Sequence, residues 1–431
     1  MKNSNHGMLI GLVFALILAL GIIMPYVMLE SGAMADSQYK WAEQETGTLS
    51  TLSGVSALDA DNVWAVGDDG TILHYDGKDW SAQESGTIVW LRDVSALDAN
   101  NVWAVGYGGT ILHYNGTAWS AQVSGTTDNL YGVSALDANN VWAVGSDDDG
   151  TVPVLHYNGT AWSAQESGIL AKTNCLYGVS ALDANSVWAV GNYYDMSLQS
   201  IIYHFDGADW TEQGTRTANG LWDVSALDAN NVWAVGEQGT IRYYNGAGWS
   251  EQESGFTTGG KLWGVSALDA NKVWAVGDTG TILYFDGTGW SEQASGTNYG
   301  LWDVSALDAN NVWAVGQGGT ILHGSPAATT WYLAEGSTDG GMETFVLVQN
   351  PNDDAVTVDL TFMTSTGPQD GPQGFAIPAN SRQSFKVNDY VTDYNVSTMV
   401  NSWFAAPIIC ERAMYGNNRT WAHDSVGYSE R

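Results

Sequence analysis

Between Leu91 and Gln122 the apolar positions fall in four short runs, LRDVSAL, NVWAVG, TILHY and AWSAQ. They are separated by Asp98-Ala99-Asn100, Gly108-Gly109 and Asn115-Gly116-Thr117. Runs this short, rich in Val, Ile, Trp and Tyr and bounded by turn formers, predict β-strands rather than helices. Asn115-Gly116 suits a tight hairpin, whose central residues need positive φ. The stretch therefore predicts four antiparallel strands, A to D.

The pattern returns along most of the chain. The tryptophans of its VWAVG run fall at Trp64, Trp103, Trp142, Trp188, Trp233, Trp274 and Trp313, in steps of 39, 39, 46, 45, 41 and 39 residues. A period near 40 with four strands per unit predicts the blades of a β-propeller. Small Ser95 and Ala96 lie on strand A, where wedge-shaped blades crowd the axis; the bulky Trp lie on strands B and D, where blades diverge. Strand D has its own series, Trp41, Trp80, Trp119, Trp162, Trp210, Trp249 and Trp290. Trp41 precedes the first strand A, and the last unit stops at His323 without a strand D. The expected fold is therefore all-β, a seven-bladed propeller over residues 36–323 whose last blade is completed by the N-terminal segment around Trp41. Such closure leaves no exposed strand edge.

After the linker 324–329 the repeat ends. Residues 330–431 read as seven or eight alternating strands (TWYLAEG, ETFVLVQN, VTVDLTFM, GFAIPA, RQSFKV, VSTMVNS, PIICERAMY and a short last one), which predicts a β-sandwich. Glu335 and Arg412 interrupt apolar strands and are expected to pair.

At the N-terminus, Lys2 precedes an apolar run from Met8 to Met24, and Ala33-Met34-Ala35 has the small-x-small form of a signal-peptidase site. Cleavage after Ala35 is expected; the alternative is an uncleaved anchor, because roughly 20 apolar residues suffice to span a bilayer. Both place the rest of the chain at the cell surface or outside the cell.

The chain has a formal charge of -33, which argues against nucleic-acid partners and restricts any membrane contact to the N-terminal segment. Much of the acidity belongs to turns: Asp59, Asp98, Asp137, Asp183, Asp228, Asp269 and Asp308 all occupy the A–B corner, as Asx turns would require. Cys175 and Cys410 are the two cysteines, too few for a disulfide framework.

The units, with Leu opening strand A (Leu52, Leu91, Leu130, Leu176, Leu221, Leu262, Leu301), then V-S-A, W-A-V-G, G-T-I-L and a D/N-G-x-x-W turn, resemble photosystem II stability/assembly factor-like propellers and, more distantly, BNR/Asp-box propellers. The Asp-box turn is shortened here to Asp76-Gly77-Lys78-Asp79-Trp80, and the arginines of the repeat region are Arg92, Arg216 and Arg242. The resemblance implies the fold and not the assembly role. Residues 330–431 resemble a domain that recurs in secreted bacterial surface proteins, with no implied activity.

The A–B and C–D turns are nearly constant, and length variation falls in the B–C and D–A connections of the opposite face. The third unit gains residues at Gly145 to Pro153 and Ile169 to Cys175, and the fourth at Asn192 to Ser200. The expected ligand rim is therefore Asp147, Asp148, Asp149, Tyr193, Tyr194 and Met196, where loop acids and aromatics suit a glycan or protein partner of the cell envelope.

Competing chemistry is weak. His74, His113, His156, His204 and His323 sit on strand C of different units and do not converge as metal ligands must. Asp147 and Asp149 are weak candidates for calcium, lacking the spaced oxygens and distal Glu of a calcium loop. No resident cofactor is expected. A sialidase-like enzyme needs converging arginines, whereas Arg92, Arg216 and Arg242 occupy unlike unit positions. The expectation is a non-catalytic recognition module; the alternatives are a structural spacer of the envelope and, more weakly, a carbohydrate-active enzyme.

Overall fold

The computed structural model describes residues 38–430 apart from 147–152, 166–173, 196, 257–258, 328, 353–354, 404–407, 417–420 and 427. The expected signal or anchor, Asp147 to Asp149 and Met196 lie outside the described residues, as do the side chains of Tyr194 and Glu335. No α-helix occurs among the described residues.

Each repeat forms four antiparallel strands. In the second unit strand A is Leu91–Asp98, B is Asn101–Gly106, C is Ile111–Tyr114 and D is Trp119–Gln122. The other A strands are Leu52–Asp59, Asn129–Asp137, Asn174–Asp183, Leu221–Asp228, Leu262–Asp269 and Leu301–Asp308. The last unit takes its outer strand from Tyr39–Glu43, antiparallel to Ile321–Pro326 with Trp41 opposite Gly324. Gly324 stands where other units carry Tyr or Phe, and a Cβ there would lie 2.7 Å from the Trp41 ring. Tyr39 supplies the missing aromatic, edge-on to Trp274 at 5.3 Å.

The V-S-A motif closes the units into a ring. Each Ser hydroxyl accepts the backbone N–H of the next unit's Ala: Ser56 from Ala96, Ser95 from Ala135, Ser134 from Ala181, Ser180 from Ala226, Ser225 from Ala267, Ser266 from Ala306, and Ser305 from Ala57, at 3.0–3.1 Å. The belt returns to its start. It satisfies main-chain donors that strand A would otherwise leave unpaired on its axial edge.

Between units the core is aromatic and aliphatic. Trp64 is buried and meets the next unit's Tyr114 at 4.8 Å and Trp119 at 5.4 Å, the latter edge-on. Trp313 repeats this across the closure with Tyr75 and Trp80. The glycine of VWAVG allows strand A to lie close: a Cβ on Gly67 would be 2.0 Å from the Thr51 carbonyl oxygen, and one on Gly191 1.8 Å from that of Cys175.

The insertion of the fourth unit is not an irregular loop. It prolongs the B–C hairpin, Ser186–Asp195 against Ser197–Phe205, with Tyr193 opposite Gln199 and Tyr194 opposite Leu198. Strand A also begins early, so that Asn174 pairs with Tyr193 and Ser146 of the third unit pairs with Cys175. Both tyrosines favour a strand, and continued pairing satisfies backbone groups that a loop would leave to water.

The C-terminal residues form two sheets. One runs, in spatial order, Gly367–Asp370, Val356–Thr364, Val396–Ser402, Thr329–Gly336 and Tyr428–Glu430, with Phe375–Ile377 also on Val356–Thr364; the other runs Ser381–Lys386, Glu343–Asn350, Ile409–Gly416 and Trp421–Val426. Leu333, Val358, Leu360 and Phe362 of the first share one apolar cluster with Val346, Val348, Phe385 and Cys410 of the second. Arg412 is buried. Both cysteines are free.

Candidate functional site

Within strand A, the units differ at the two positions between the opening Leu and V-S-A. The residue after the opening Leu is Ser53, Arg92, Tyr131, Tyr177, Trp222, Trp263 and Trp302 in turn, and the next is Gly54, Asp93, Gly132, Gly178, Asp223, Gly264 and Asp303. Because strand A is innermost in every unit, these positions meet at the centre of the ring. They line a cavity of about 110 Å³ bounded by Ser53, Arg92, the five aromatic residues and the three aspartates.

The aromatic wall is continuous. Ring centroids are 5.1 Å apart for Tyr131–Tyr177, 4.5 Å for Tyr177–Trp222, 4.7 Å for Trp222–Trp263 and 4.6 Å for Trp263–Trp302. Tilted contacts of this kind are favourable and hold each ring against its neighbour. The residues following the VWAVG runs orient the wall from outside. Asp278 accepts the Trp263 indole N–H at 2.8 Å, and Ser146 donates to the Tyr131 hydroxyl at 3.4 Å. Lys261 pairs with Glu237 at 2.9 Å and places its ammonium 4.8 Å and 4.9 Å from the ring centres of Trp222 and Trp263. Arg92 lies 5.6 Å from the Tyr107 ring centre, and its charge acts on Asp68.

The carboxyls form the inner lining. Each accepts two backbone N–H groups, one from its own strand and one from the next unit: Asp93 from Val94 and Val133, Asp223 from Val224 and Val265, Asp303 from Val304 and Val55, all at 2.7–2.8 Å. Burial is the main force on their ionisation. It pushes Asp93 and Asp223 up to about 7 and Asp303 well above the usual carboxylate range, and neighbouring carboxyls add to the rise for Asp93 and Asp303. Each Asp is followed in the next unit by Gly. A Cβ at Gly264 would lie 2.8 Å from the Asp303 Cα, and one at Gly178 2.7 Å from that of Asp223. The glycine that precedes each Asp around the axis therefore leaves room for the backbone of the acidic strand.

Of the residues expected from sequence to form a rim, the side chain of Tyr193 is described. It is half-buried, packed against the core between the third and fourth units, with the Arg216 guanidinium 4.0 Å from its ring centre. Arg216 is held in turn by Glu212 at 2.7 and 2.9 Å. Tyr193 thus packs inward rather than standing free in a loop.

The strand C histidines are engaged locally. His74 lies on the Trp64 ring at 4.1 Å with Nε2 2.8 Å from Asn62 Oδ1, and His113, His156 and His323 repeat the contact with Asn101, Asn140 and Asn311. Burial holds their pKa below the ordinary histidine value. Among the described residues no cluster of His, Cys, Asp and Glu has the geometry of a metal site.

Reading the repeat for insertions passed over the axial residues. The available signal was two consecutive variable positions between an invariant Leu and an invariant V-S-A, five of the first seven being aromatic.

No protein-family model and no curated protein matches the chain. Solved structures do. A structure titled YCF48 bound to D1 peptide aligns with a TM-score of 0.55 at 17% identity, covering 71% of this chain and all of that one. The WD40 β-propeller domain of Doa1 aligns at 0.52 and 14% identity, over 67% of this chain and 97% of that one. PorZ, a bacterial surface component of the type-IX secretion system of Porphyromonas gingivalis, aligns at 0.52 and 12% identity, over 90% of this chain and 60% of that one. At these identities the likeness shows a β-propeller fold.

Proposed function

We infer that the chain is an exported, non-catalytic recognition module. In this reading the repeats are a seven-bladed propeller clasped by Tyr39–Glu43, residues 330–431 are a β-sandwich, and a protein partner engages the propeller at its axial basin. One observation carries the reading: the seven units converge on a cavity at the two strand A positions that break an otherwise constant strand. A concave, mostly aromatic site with a few placed polar groups is the usual form of a binding site. The solved relatives lend support, one with a bound peptide and another a bacterial surface component. The lining residues open strand A, next to the D–A connections, so this reading stays with the face expected from sequence and puts the site at its centre.

The test is binding of the full chain to an array of envelope glycans and peptides, repeated with Trp222→Ala and with Tyr193–Gln199 replaced by a two-residue turn. Loss of at least tenfold in affinity with Trp222→Ala alone is the expected result. Loss with the shortened hairpin alone would move the site back to the rim of the third and fourth units. Binding to nothing would favour a spacer of the envelope.

A further inference from the structure

Resting on that reading, we propose that the axial basin binds one organic ammonium group, its charge against the carboxyls of Asp93, Asp223 and Asp303 and its methyl or methylene shell against the faces of Tyr177, Trp222, Trp263 and Trp302.

Four observations select this chemistry. The first is size: a cavity of about 110 Å³ admits one small head group. The second is the wall, a run of tilted aromatic rings lining the cavity, a residue type that attracts cations. The third is internal to the molecule. An ammonium already rests on this wall, since Lys261 Nζ lies within 4.9 Å of the ring centres of Trp222 and Trp263. The fourth is charge. Three carboxyls, Asp93, Asp223 and Asp303, line the cavity against one basic side chain, Arg92, while Glu237 engages Lys261 and Asp278 the Trp263 indole N–H. Lys261 is paired with Glu237 and Arg92 acts on Asp68, so neither neutralises the inner carboxyls.

The proton balance follows from the same geometry. Near neutral pH the crowded carboxyls retain protons that a solvated Asp would have released. An entering ammonium stabilises the ionised form, so a carboxyl O–H releases its proton to solvent; no covalent bond to the ligand forms. Tyr131 and Tyr177 also face the cavity, and burial raises the Tyr177 phenol, which therefore stays neutral. Affinity is then low while the carboxyls are protonated and rises as pH passes through about 7.

One feature of the wall points the other way. The indole N–H groups of Trp222 and Trp302 have no acceptor among the described residues, and with Arg92 and Lys261 they would suit an anion. Charge substitution separates the two readings, because removing Lys261 helps a cation and harms an anion.

The experiment is calorimetric titration of the full chain with tetramethylammonium chloride and with n-butylammonium chloride, at pH 5.5 and pH 8.5, with sodium acetate as the anionic probe. At least one ammonium is expected to bind about tenfold more tightly at pH 8.5, with proton release detected by repeating the titration in buffers of different ionisation enthalpy. Tetramethylammonium as the tighter ligand would indicate a methylated amine; n-butylammonium, a lysine side chain or free amine. Lys261→Met should strengthen binding up to about threefold, and Trp263→Ala should abolish it while Trp263→Phe retains it. Asp223→Asn should weaken binding and flatten its pH dependence. Thermal melting of every variant verifies folding. No binding of either ammonium by folded protein at both pH values overturns the proposal, as does acetate binding that Lys261→Met removes. Either result, alongside peptide capture that still depends on Trp222, would reject the ammonium and leave the recognition site standing.

Discussion

From its Val onward, strand A reads Val-Ser-Ala-Leu-Asp in all seven units, whereas two residues before that Val the same strands carry Ser53, Arg92, Tyr131, Tyr177, Trp222, Trp263 and Trp302. The two ends answer to different demands. At the constant end every unit makes the same contact with the next, a Ser hydroxyl accepting an Ala N–H, and a closed ring allows no unit to deviate. At the variable end the seven side chains line one shared cavity. Identity there would yield a symmetric pore; difference yields a shaped lining, aromatic from Tyr131 round to Trp302 with carboxyls at Asp93, Asp223 and Asp303. Insertions elsewhere on the face are a weaker form of asymmetry because they do not converge.

The sharpest test of this division uses one substitution at two places. Trp274 is fully buried between units, in contact with Tyr39 and Tyr284, and Trp274→Ala should cost about 3–5 kcal/mol. Trp263 is half-buried in the basin wall, and Trp263→Ala should cost about 1 kcal/mol while removing ligand binding. Denaturant melts of both variants decide it. Equal losses of stability would mean that the basin wall is core and the division between ends is false.

Most of the ring was legible in the chain because its contacts repeat. A fixed period, a Trp series on two strands and an offset between first and last units lead to the Tyr39–Glu43 clasp, and the structure shows that pairing. The basin was harder to read. Leu52, Leu91 and their equivalents mark where each strand starts, but the convergence of the following residues depends on ring closure, which is a long-range property. The fourth-unit insertion misled for a local reason. Tyr193-Tyr194-Asp195 breaks the repeat and so reads as loop, yet Tyr193 pairs with Gln199 in a longer hairpin. The expected pairing of Glu335 with Arg412 lies outside the described side chains.

A second test exploits protons. The folded chain raises the pKa of Asp223 to about 7, against ~3.9 in an unfolded chain. Its stabilising contribution is therefore fully present below about pH 4 and is lost as pH rises through about 7. Asp223→Asn lacks this slope. The variant should lose about 1 kcal/mol at pH 5 because its amide cannot accept both backbone N–H groups. By pH 8.5 it should gain about 1–3 kcal/mol relative to wild type. His74, His113, His156, His204 and His323, held below their ordinary pKa, slope the opposite way below pH ~6.5, but they are common to both proteins and cancel in the difference. A pH-independent difference would mean that Asp223 is ionised throughout.

At the constant end, Ser95→Ala removes the acceptor of the Ala135 N–H and should cost about 1–2 kcal/mol without changing the pH profile. Ser134→Ala, one unit further on, should cost a similar amount, since every link of the belt does the same work. A loss confined to one of the two would show that the units are not equivalent where their sequences are.

The smallest effect is expected where the insertion lies. Arg216 is partly exposed, bonded to Glu212 and placed over Tyr193, and a surface ion pair of this kind contributes about 0–1 kcal/mol. Glu212 holds the Arg216 guanidinium above its ordinary pKa, so the contact persists as pH rises, and Arg216 in turn holds Glu212 below the usual carboxylate range. Arg216→Ala should therefore lower stability by no more than about 1 kcal/mol and leave ammonium binding at the axis unchanged. A tenfold change in binding with so small a change in stability would couple the fourth-unit hairpin to the basin, and the two asymmetries of this face would then belong to one site.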